Sequence, residues 1–212
     1  MEWRYRLMEL RRRSLYTGDP DTYRCVFIHI PKTAGTSVAQ ALFGKGSRHV
    51  RCIEYEKANP RKFHRYFKFA FVRSPWIRLY SAYHYLQRGG MGSQDSAWAE
   101  EHLVKYRSFE QFVREWVNED NIMSWVHFQP QHHFITGSNG QMAMDFLGRM
   151  ENITADFDFV CRKLGISVSL PEVNKTEKLP YTDAYTPEMI DIVARAYHRD
   201  VAMLGYAFGD KK

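Results

Sequence analysis

Two stretches of the chain carry residue types that can hold a phosphate group. The first, PKTAGTS at 31–37, places a lysine, a glycine and three hydroxyl side chains directly after an apolar run. Glycine lets the backbone approach an anion closely, and the N–H groups at a helix start present the positive end of the helix dipole. The lysine adds a positive charge and the hydroxyls add hydrogen-bond donors. The predicted phosphate loop consists of Lys32, Thr33, Ala34, Gly35, Thr36 and Ser37.

This loop differs from the common triphosphate-binding loop. In GxxxxGK[ST] the lysine lies at the helix start, beside a hydroxyl residue that binds magnesium, whereas Lys32 precedes Gly35 here. The chain also lacks the G-x-G-x-x-G pattern of dinucleotide-binding loops. Both differences argue against a P-loop kinase that acts on a nucleotide or small molecule, which is the main alternative function. A strand–helix turn that holds no ligand is a further alternative.

The second stretch is RSPWIRLYSAY, which begins at Arg73 just after the apolar run FKFAFV. A helix that starts at Pro75 places Ser81 about two turns in, at ~1.5 Å per residue. An arginine at a strand end and a serine on the next helix can bind the same dianion, and Arg78 is a further candidate. The alternative is a surface arginine beside a serine that packs against another helix.

Taken together, the two stretches resemble the sulfotransferase superfamily that uses 3′-phosphoadenosine 5′-phosphosulfate (PAPS). The chain resembles most the carbohydrate sulfotransferases of this superfamily, which include the heparan 2-O-sulfotransferase, chondroitin and bacterial types. A PKTAGTS-like loop holds the 5′-phosphosulfate in that family, and an R-[DNS]-P-x-x-R-x-x-S-x-Y element holds the 3′-phosphate. The resemblance runs from Val26 to Tyr206, because later segments are also similar: MENITADFDFVCRKLGI, VNKTEKLPYTD and YHRDVAMLGY.

This resemblance implies an enzyme that moves a sulfuryl group from PAPS to an acceptor hydroxyl by in-line displacement, leaving 3′-phosphoadenosine 5′-phosphate (PAP). Lys32 would stabilise charge on the leaving oxygen, and Arg73 and Ser81 would hold the 3′-phosphate. The NKT segment adds Lys175 and Thr176 as nucleotide contacts. No metal ion is expected, since sulfuryl transfer in this family needs none.

The acceptor hydroxyl needs a base, and the resemblance points to His49, which opens the segment HVRCIEY. The family pattern H-x-T/S-x-x-E/D is only partly kept in this segment. Neutral histidine suits proton transfer near neutral pH. The rivals are His84, the pair His132/His133 and Glu54, whereas His29 is expected in the core or behind the site. The residues expected to bind the acceptor are His84, Gln131 and His132.

Short apolar runs alternate with helical patterns, which predicts an α/β fold with a central, mostly parallel sheet flanked by helices in a P-loop-like three-layer arrangement. The predicted strands are CVFIHI, HVRCIEY, FKFAFV and QMAMDFLGRM. The segment GGMGSQDS is predicted to be a loop, and 186–206 one long C-terminal helix that starts at Pro187. A single domain over 1–212 is the simplest account, with an N-terminal helix or arm at 1–23 and a core at 24–208.

The charge balance favours an anionic ligand. The formal net charge is +6 and the isoelectric point is about 9.2. We expect a carbohydrate or glycolipid acceptor and no nucleic acid. A non-catalytic binder of polyanions is a third alternative, although it leaves both phosphate motifs unexplained. Acceptor specificity is expected from Gly89–Tyr106 and Gln129–Gly140.

The three cysteines lie far apart, which favours a reducing compartment over a disulfide framework. No run of about 18 apolar residues predicts a transmembrane helix. We therefore expect a cytoplasmic protein. The alternative is the lumenal domain of a membrane-anchored enzyme whose anchor is not in this sequence.

Overall fold

The structure is a computed structural model that describes residues 14–171 and 181–210. Its described residues divide into two compact units. The first unit comprises 14–72 and 131–171, and the second comprises 73–130 and 181–210. The single domain over 1–212 remains a prediction.

The first unit contains a three-stranded sheet built from β1 (Cys25–Ile28), β2 (Phe67–Val72) and β3 (Phe146–Arg149). The strands lie in the order β1–β2–β3 and both pairs are parallel, with Cys25 opposite Phe67 and Phe69 opposite Phe146. All three carboxyl ends therefore lie at one edge of the sheet, where ligands of parallel α/β sheets bind. The predicted α/β class with a parallel sheet flanked by helices is confirmed.

Helices α2 (Gly35–Phe43) and α9 (Ile153–Leu164) cover one face of this sheet. Val38 and Leu42 from α2, together with Phe157 from α9, form a buried cluster with Phe69 and Phe71 of β2. The opposite face is buried as well, as a parallel sheet requires. The helices of this unit are α1 (Asp19–Tyr23), α2 (Gly35–Phe43), α3 (Cys52–Ala58), α4 (Pro60–Arg65), α8 (His132–Ile135) and α9 (Ile153–Leu164).

The described part of the second unit is helical and has an aromatic core. Phe112, Trp116 and Phe128 contact one another with ring centroids 4.9–5.4 Å apart, and Trp98 packs against Phe128 at 5.5 Å. The helices are α5 (Pro75–Gln87), α6 (Ser93–His102), α7 (Phe109–Trp116), α10 (Pro187–Ala196) and α11 (His198–Leu204).

Two predicted strands differ from the structure. HVRCIEY is no strand: 49–51 is irregular, and α3 begins at Cys52. Its alternation is too short to distinguish a strand from a helix start. Cys52 is buried, and its thiol donates to the Thr136 carbonyl at 3.0 Å. QMAMDFLGRM is extended over a shorter stretch, with only Phe146–Arg149 in the sheet.

Two helical predictions also need correction. The long C-terminal helix is broken at Tyr197, whose φ of −109° and ψ of 27° leave the helical region. Burial explains the break: the Tyr197 hydroxyl donates to the Phe128 carbonyl at 2.7 Å, and Tyr197 is 1% exposed. In GGMGSQDS, the segment is a loop only as far as Gly92, since α6 begins at Ser93.

Residues 1–13 of the predicted N-terminal helix lie outside the described part of the chain, whereas Asp19–Tyr23 form α1. All three cysteines are free and buried. Within 14–171 and 181–210, no helix is long and apolar enough to cross a membrane.

Candidate active site

The predicted phosphate loop joins β1 to α2 in the first unit, at the carboxyl edge of the sheet. Two of its non-glycine residues have left-handed backbone conformations: Lys32 with φ 69° and Ala34 with φ 59°. Such conformations cost about 1–3 kcal/mol each and cluster at ligand sites. Loops of this kind present successive backbone N–H groups to an anion. The strain therefore supports a functional loop over an ordinary turn.

The start of α2 is built to leave its N–H groups available. Ala34 occupies the N-cap position, and its methyl group cannot accept the hydrogen bond that a serine or aspartate would accept there. Thr36 is exposed and Ser37 is half-buried. An anion is the natural acceptor at such a helix start.

Thr33 has a structural task in addition to its predicted one. Its side chain is 1% exposed, and its hydroxyl donates to the Ile30 carbonyl at 2.9 Å. This bond closes the turn that follows β1. The hydroxyl proton is therefore used within the loop, and the backbone N–H of Thr33 is the group left to meet a ligand.

Gly35 is explained by its contact with His29. A Cβ on Gly35 would lie 1.9 Å from Cδ2 and 2.4 Å from Nε2 of the His29 ring, closer than any real contact. The φ of Gly35 is not positive, so the need for glycine is steric. We attributed this glycine to anion approach from the sequence, and the contact with His29 is a separate reason for it.

His49, the predicted base, is held beside His29. Its Nδ1 lies 3.0 Å from the His29 carbonyl oxygen, and the two ring centroids are 4.3 Å apart at 62°. A carbonyl oxygen only accepts hydrogen bonds, so Nδ1 of His49 must carry the proton. The neutral ring then has its lone pair on Nε2, which is the tautomer a base at that nitrogen requires.

His133 and Glu54 are engaged by Arg51. The Arg51 guanidinium lies 3.0 Å from Nε2 of His133 and 3.0 Å from a carboxylate oxygen of Glu54. Since guanidinium only donates, the His133 lone pair is already bound. Burial and then the Arg51 charge hold the pKa of His133 below its usual range. Two of the rivals to His49, His133 and Glu54, are therefore occupied. Sequence reasoning missed the contact between Arg51 and His133 because these residues lie 82 positions apart.

The remaining predicted acceptor residues fall in both units. In the first unit, Gln131 is fully buried and the half-buried His132 opens α8. In the second unit, His84 lies on α5 with Nδ1 3.1 Å from the Gln87 amide oxygen. Burial lowers the pKa of His84, and its buried Nε2 has no hydrogen-bond partner within the described residues.

The predicted 3′-phosphate residues belong to the second unit. Arg73 directly follows the last residue of β2 and is half-buried. Ser81 lies in the second turn of α5 and is also half-buried. Lys175 and Thr176 lie outside the described residues.

Arg78 is a structural residue and is no candidate for the phosphate, which corrects the sequence interpretation. It is 1% exposed, and its guanidinium donates to the carbonyls of His127 at 3.2 Å and Gln129 at 2.6 Å. Asp200, which is fully buried, interacts electrostatically with it. The second arginine of the motif thus anchors α5 within the second unit.

Replacing Arg78 by alanine should lower the free energy of unfolding by about 3–5 kcal/mol, because it removes the donor for two carbonyls and the charge partner of buried Asp200. Urea-induced unfolding followed by circular dichroism measures the change. The exposed Arg88→Ala is the matched control and should stay within about 0.5 kcal/mol of the unmodified chain. Equal stability of the two variants would show that Arg78 has no anchoring role.

The described residues form an α/β protein with a parallel sheet and a strained, lysine-bearing loop at the carboxyl edge of that sheet. The model of the Sulfotransferase family matches residues 19–207. The chain belongs to this family, and its class of reaction is group transfer. No significant match was found among curated proteins or among solved structures.

Proposed function

We propose that this protein transfers a sulfuryl group from PAPS to a hydroxyl of a carbohydrate or glycoconjugate. The observation that carries the proposal is the loop at Pro31–Gly35, with its strained Lys32 before an uncapped helix start, in a chain of the Sulfotransferase family. PAPS, when bound, supplies a sulfuryl group attached to a phosphate that can leave.

The loop fits the phosphosulfate end of this donor. Backbone N–H groups at Thr33, Gly35 and Thr36 would hold the 5′-phosphate, and the hydroxyls of Thr36 and Ser37 add donors. Lys32 would lie beside the bridging oxygen and neutralise the charge that develops there. The lysine comes before the glycine because its proposed target is the oxygen that leaves sulfur.

Arg73 and Ser81 would bind the 3′-phosphate, with Lys175 and Thr176 as further nucleotide contacts. An arginine suits this task because its guanidinium can donate two parallel hydrogen bonds to a phosphate. The proposal rests on the motif that these residues share with the family. Recognition of the 3′-phosphate would separate this donor from ATP.

His49 would accept the acceptor proton at Nε2. The hydrogen bond from its Nδ1 to the His29 carbonyl supports this role, because it sets the required tautomer. His84, Gln131 and His132 are proposed acceptor contacts. The net charge of +6 favours an acceptor that carries negative charge elsewhere in its chain.

Two assays test the proposed function. Radiolabelled sulfate on PAPS should move to members of a panel of glycans and glycolipids, and calorimetry should show PAP binding that does not depend on magnesium. Tight magnesium-dependent ATP binding without PAP binding would instead support the kinase alternative.

Arg73→Ala should weaken PAP binding by about 1.5–3 kcal/mol, roughly 10- to 150-fold in Kd, because a charge-assisted contact is lost. The same variant should bind adenosine 5′-phosphosulfate, which lacks the 3′-phosphate, as well as the unmodified chain does. Calorimetry measures both ligands. The control is Arg88→Ala, at the exposed end of α5. If Arg73→Ala weakens the binding of both ligands equally, Arg73 does not bind the 3′-phosphate.

A further inference from the structure

The side chain of His29 lies behind the candidate active site and touches two of its parts. It follows β1 directly and is 5% exposed. One edge of its ring packs on Gly35 at the start of α2, and the ring meets that of His49 edge to face. A histidine in an otherwise apolar run is the sequence signal that marks it.

The His29 ring is fixed in orientation. Its Nδ1 lies 2.8 Å from Oγ of Ser47, which is half-buried. Its opposite edge, Cδ2 and Nε2, faces Gly35 with no room for a Cβ. A ring held at both edges cannot rotate without moving either Ser47 or the phosphate loop.

His29 also holds His49 through its backbone. The His29 carbonyl accepts from Nδ1 of His49 at 3.0 Å. The imidazoles meet edge to face with centroids 4.3 Å apart, a geometry favoured between aromatic rings. A shift of His29 would therefore move both the loop and the base.

We propose that His29 is a positioning residue that sets the distance between the phosphate loop and His49. It touches neither donor nor acceptor in this assignment, and acts through Gly35 on one side and His49 on the other. The expected effect of His29 on turnover rests on the proposed function. The contacts of His29 with Gly35, Ser47 and His49 do not depend on it, because they exist without any ligand.

A double-mutant cycle tests the contact with Gly35. Gly35→Ala should lower kcat/KM by about 100-fold, since a misplacement of 1 Å can cost that much. His29→Ala opens the space that the new Cβ needs, so the double variant should be no less active than His29→Ala alone. Gly46→Ala is the matched control, because a Cβ there meets no atom within 4 Å.

The same cycle is read without turnover in the urea midpoint of unfolding. Gly35→Ala should lower the midpoint, and His29→Ala should recover most of that loss in the double variant. Losses that simply add, in both activity and midpoint, would overturn the proposal. If neither the unmodified chain nor any variant transfers sulfate, the proposed function fails. The urea midpoints still test the contact between His29 and Gly35 in that case, so the two failures can be told apart.

A second variant tests the contact with His49. The asparagine of His29→Asn is smaller than histidine, so the variant is expected to fold. Its amide can still reach Ser47, but the contact with the His49 ring is lost. We expect kcat to fall about tenfold with less than threefold change in the Kd of PAP. Nitrogen-15 NMR of the imidazoles should show His49 protonated at Nδ1 in the unmodified chain. The carbonyl of residue 29 remains in the variant, but without the ring contact His49 can turn away from it, so we expect a tautomer mixture.

The exposed His64→Asn on α4 is the control and should change none of these values. An unchanged kcat together with an unchanged His49 tautomer in His29→Asn would overturn the positioning role. The NMR measurement needs neither donor nor acceptor, and it therefore tests the geometry even where turnover is not observed.

Discussion

Replacing Lys32 by alanine should lower kcat by about 10²- to 10³-fold, the range seen when one preorganised charge-stabilising donor is removed. The physical reason is differential binding: the charge on the bridging oxygen grows as the bond to sulfur breaks, so the lysine acts most strongly on the transition state. Affinity for PAP should change far less. Initial rates with labelled PAPS and calorimetry with PAP separate the two effects.

Alanine is the appropriate replacement at this position. Lys32 has φ 69°, and alanine keeps the Cβ that makes this conformation costly, so the loop backbone is under the same strain in both proteins. Glycine would relieve the backbone strain of the loop, so its effect on the rate would combine this relief with the loss of the amine. The free energy of unfolding of Lys32→Ala should therefore stay close to that of the unmodified chain.

Lys45→Ala is the matched control for Lys32→Ala. Lys45 is a lysine of the same unit whose side chain is 60% exposed and pairs with Asp19 at 2.8 Å. It should keep full turnover, since exposed pairs contribute little. Equal rates for the two alanine variants would show that Lys32 has no role in catalysis.

Replacing His49 by asparagine should lower kcat by about 10²- to 10⁴-fold, the range expected when a general base is lost. Asparagine can still donate to the His29 carbonyl but has no basic nitrogen. PAP binding should be retained, because this side chain is assigned to the acceptor proton. Rates are measured across pH, since the acidic limb of kcat/KM should disappear in the variant.

The surrounding histidines make this second result discriminating. His64→Asn, on the exposed side of α4, should leave the rate and its pH profile unchanged. If His49→Asn keeps near-normal turnover, the base is another group. His132 and His84 are then tested next, since Arg51 already occupies both His133 and Glu54.

The sequence predicted the parts of the site that are local in the chain. Strand β2 and helix α5 were recognised from an apolar run followed by Pro75, and α2 from a helical pattern ended by Gly44. These signals depend on short-range rules for turns and caps. The loop between β1 and α2 follows from the same rules, because it lies between two such elements. Its binding of a phosphate remains a prediction.

What the sequence did not predict depends on contacts between distant residues. HVRCIEY was predicted to be a strand, whereas α3 begins at Cys52, whose thiol contacts the Thr136 carbonyl 84 residues away. Arg78 was counted as a possible ligand residue, although it is buried against carbonyls about 50 residues away. The periodicity of apolar residues indicates only local secondary structure. Contacts between residues far apart in the chain cannot be predicted from it.

The central claim is tested most directly by a crystal structure of the protein with PAP. The 5′-phosphate should lie within about 3 Å of the backbone N–H groups of Gly35 and Thr36 and of the Lys32 amine. The 3′-phosphate should lie on Arg73 and Ser81. A nucleotide bound away from the loop, or bound there in the reverse direction, would contradict the account.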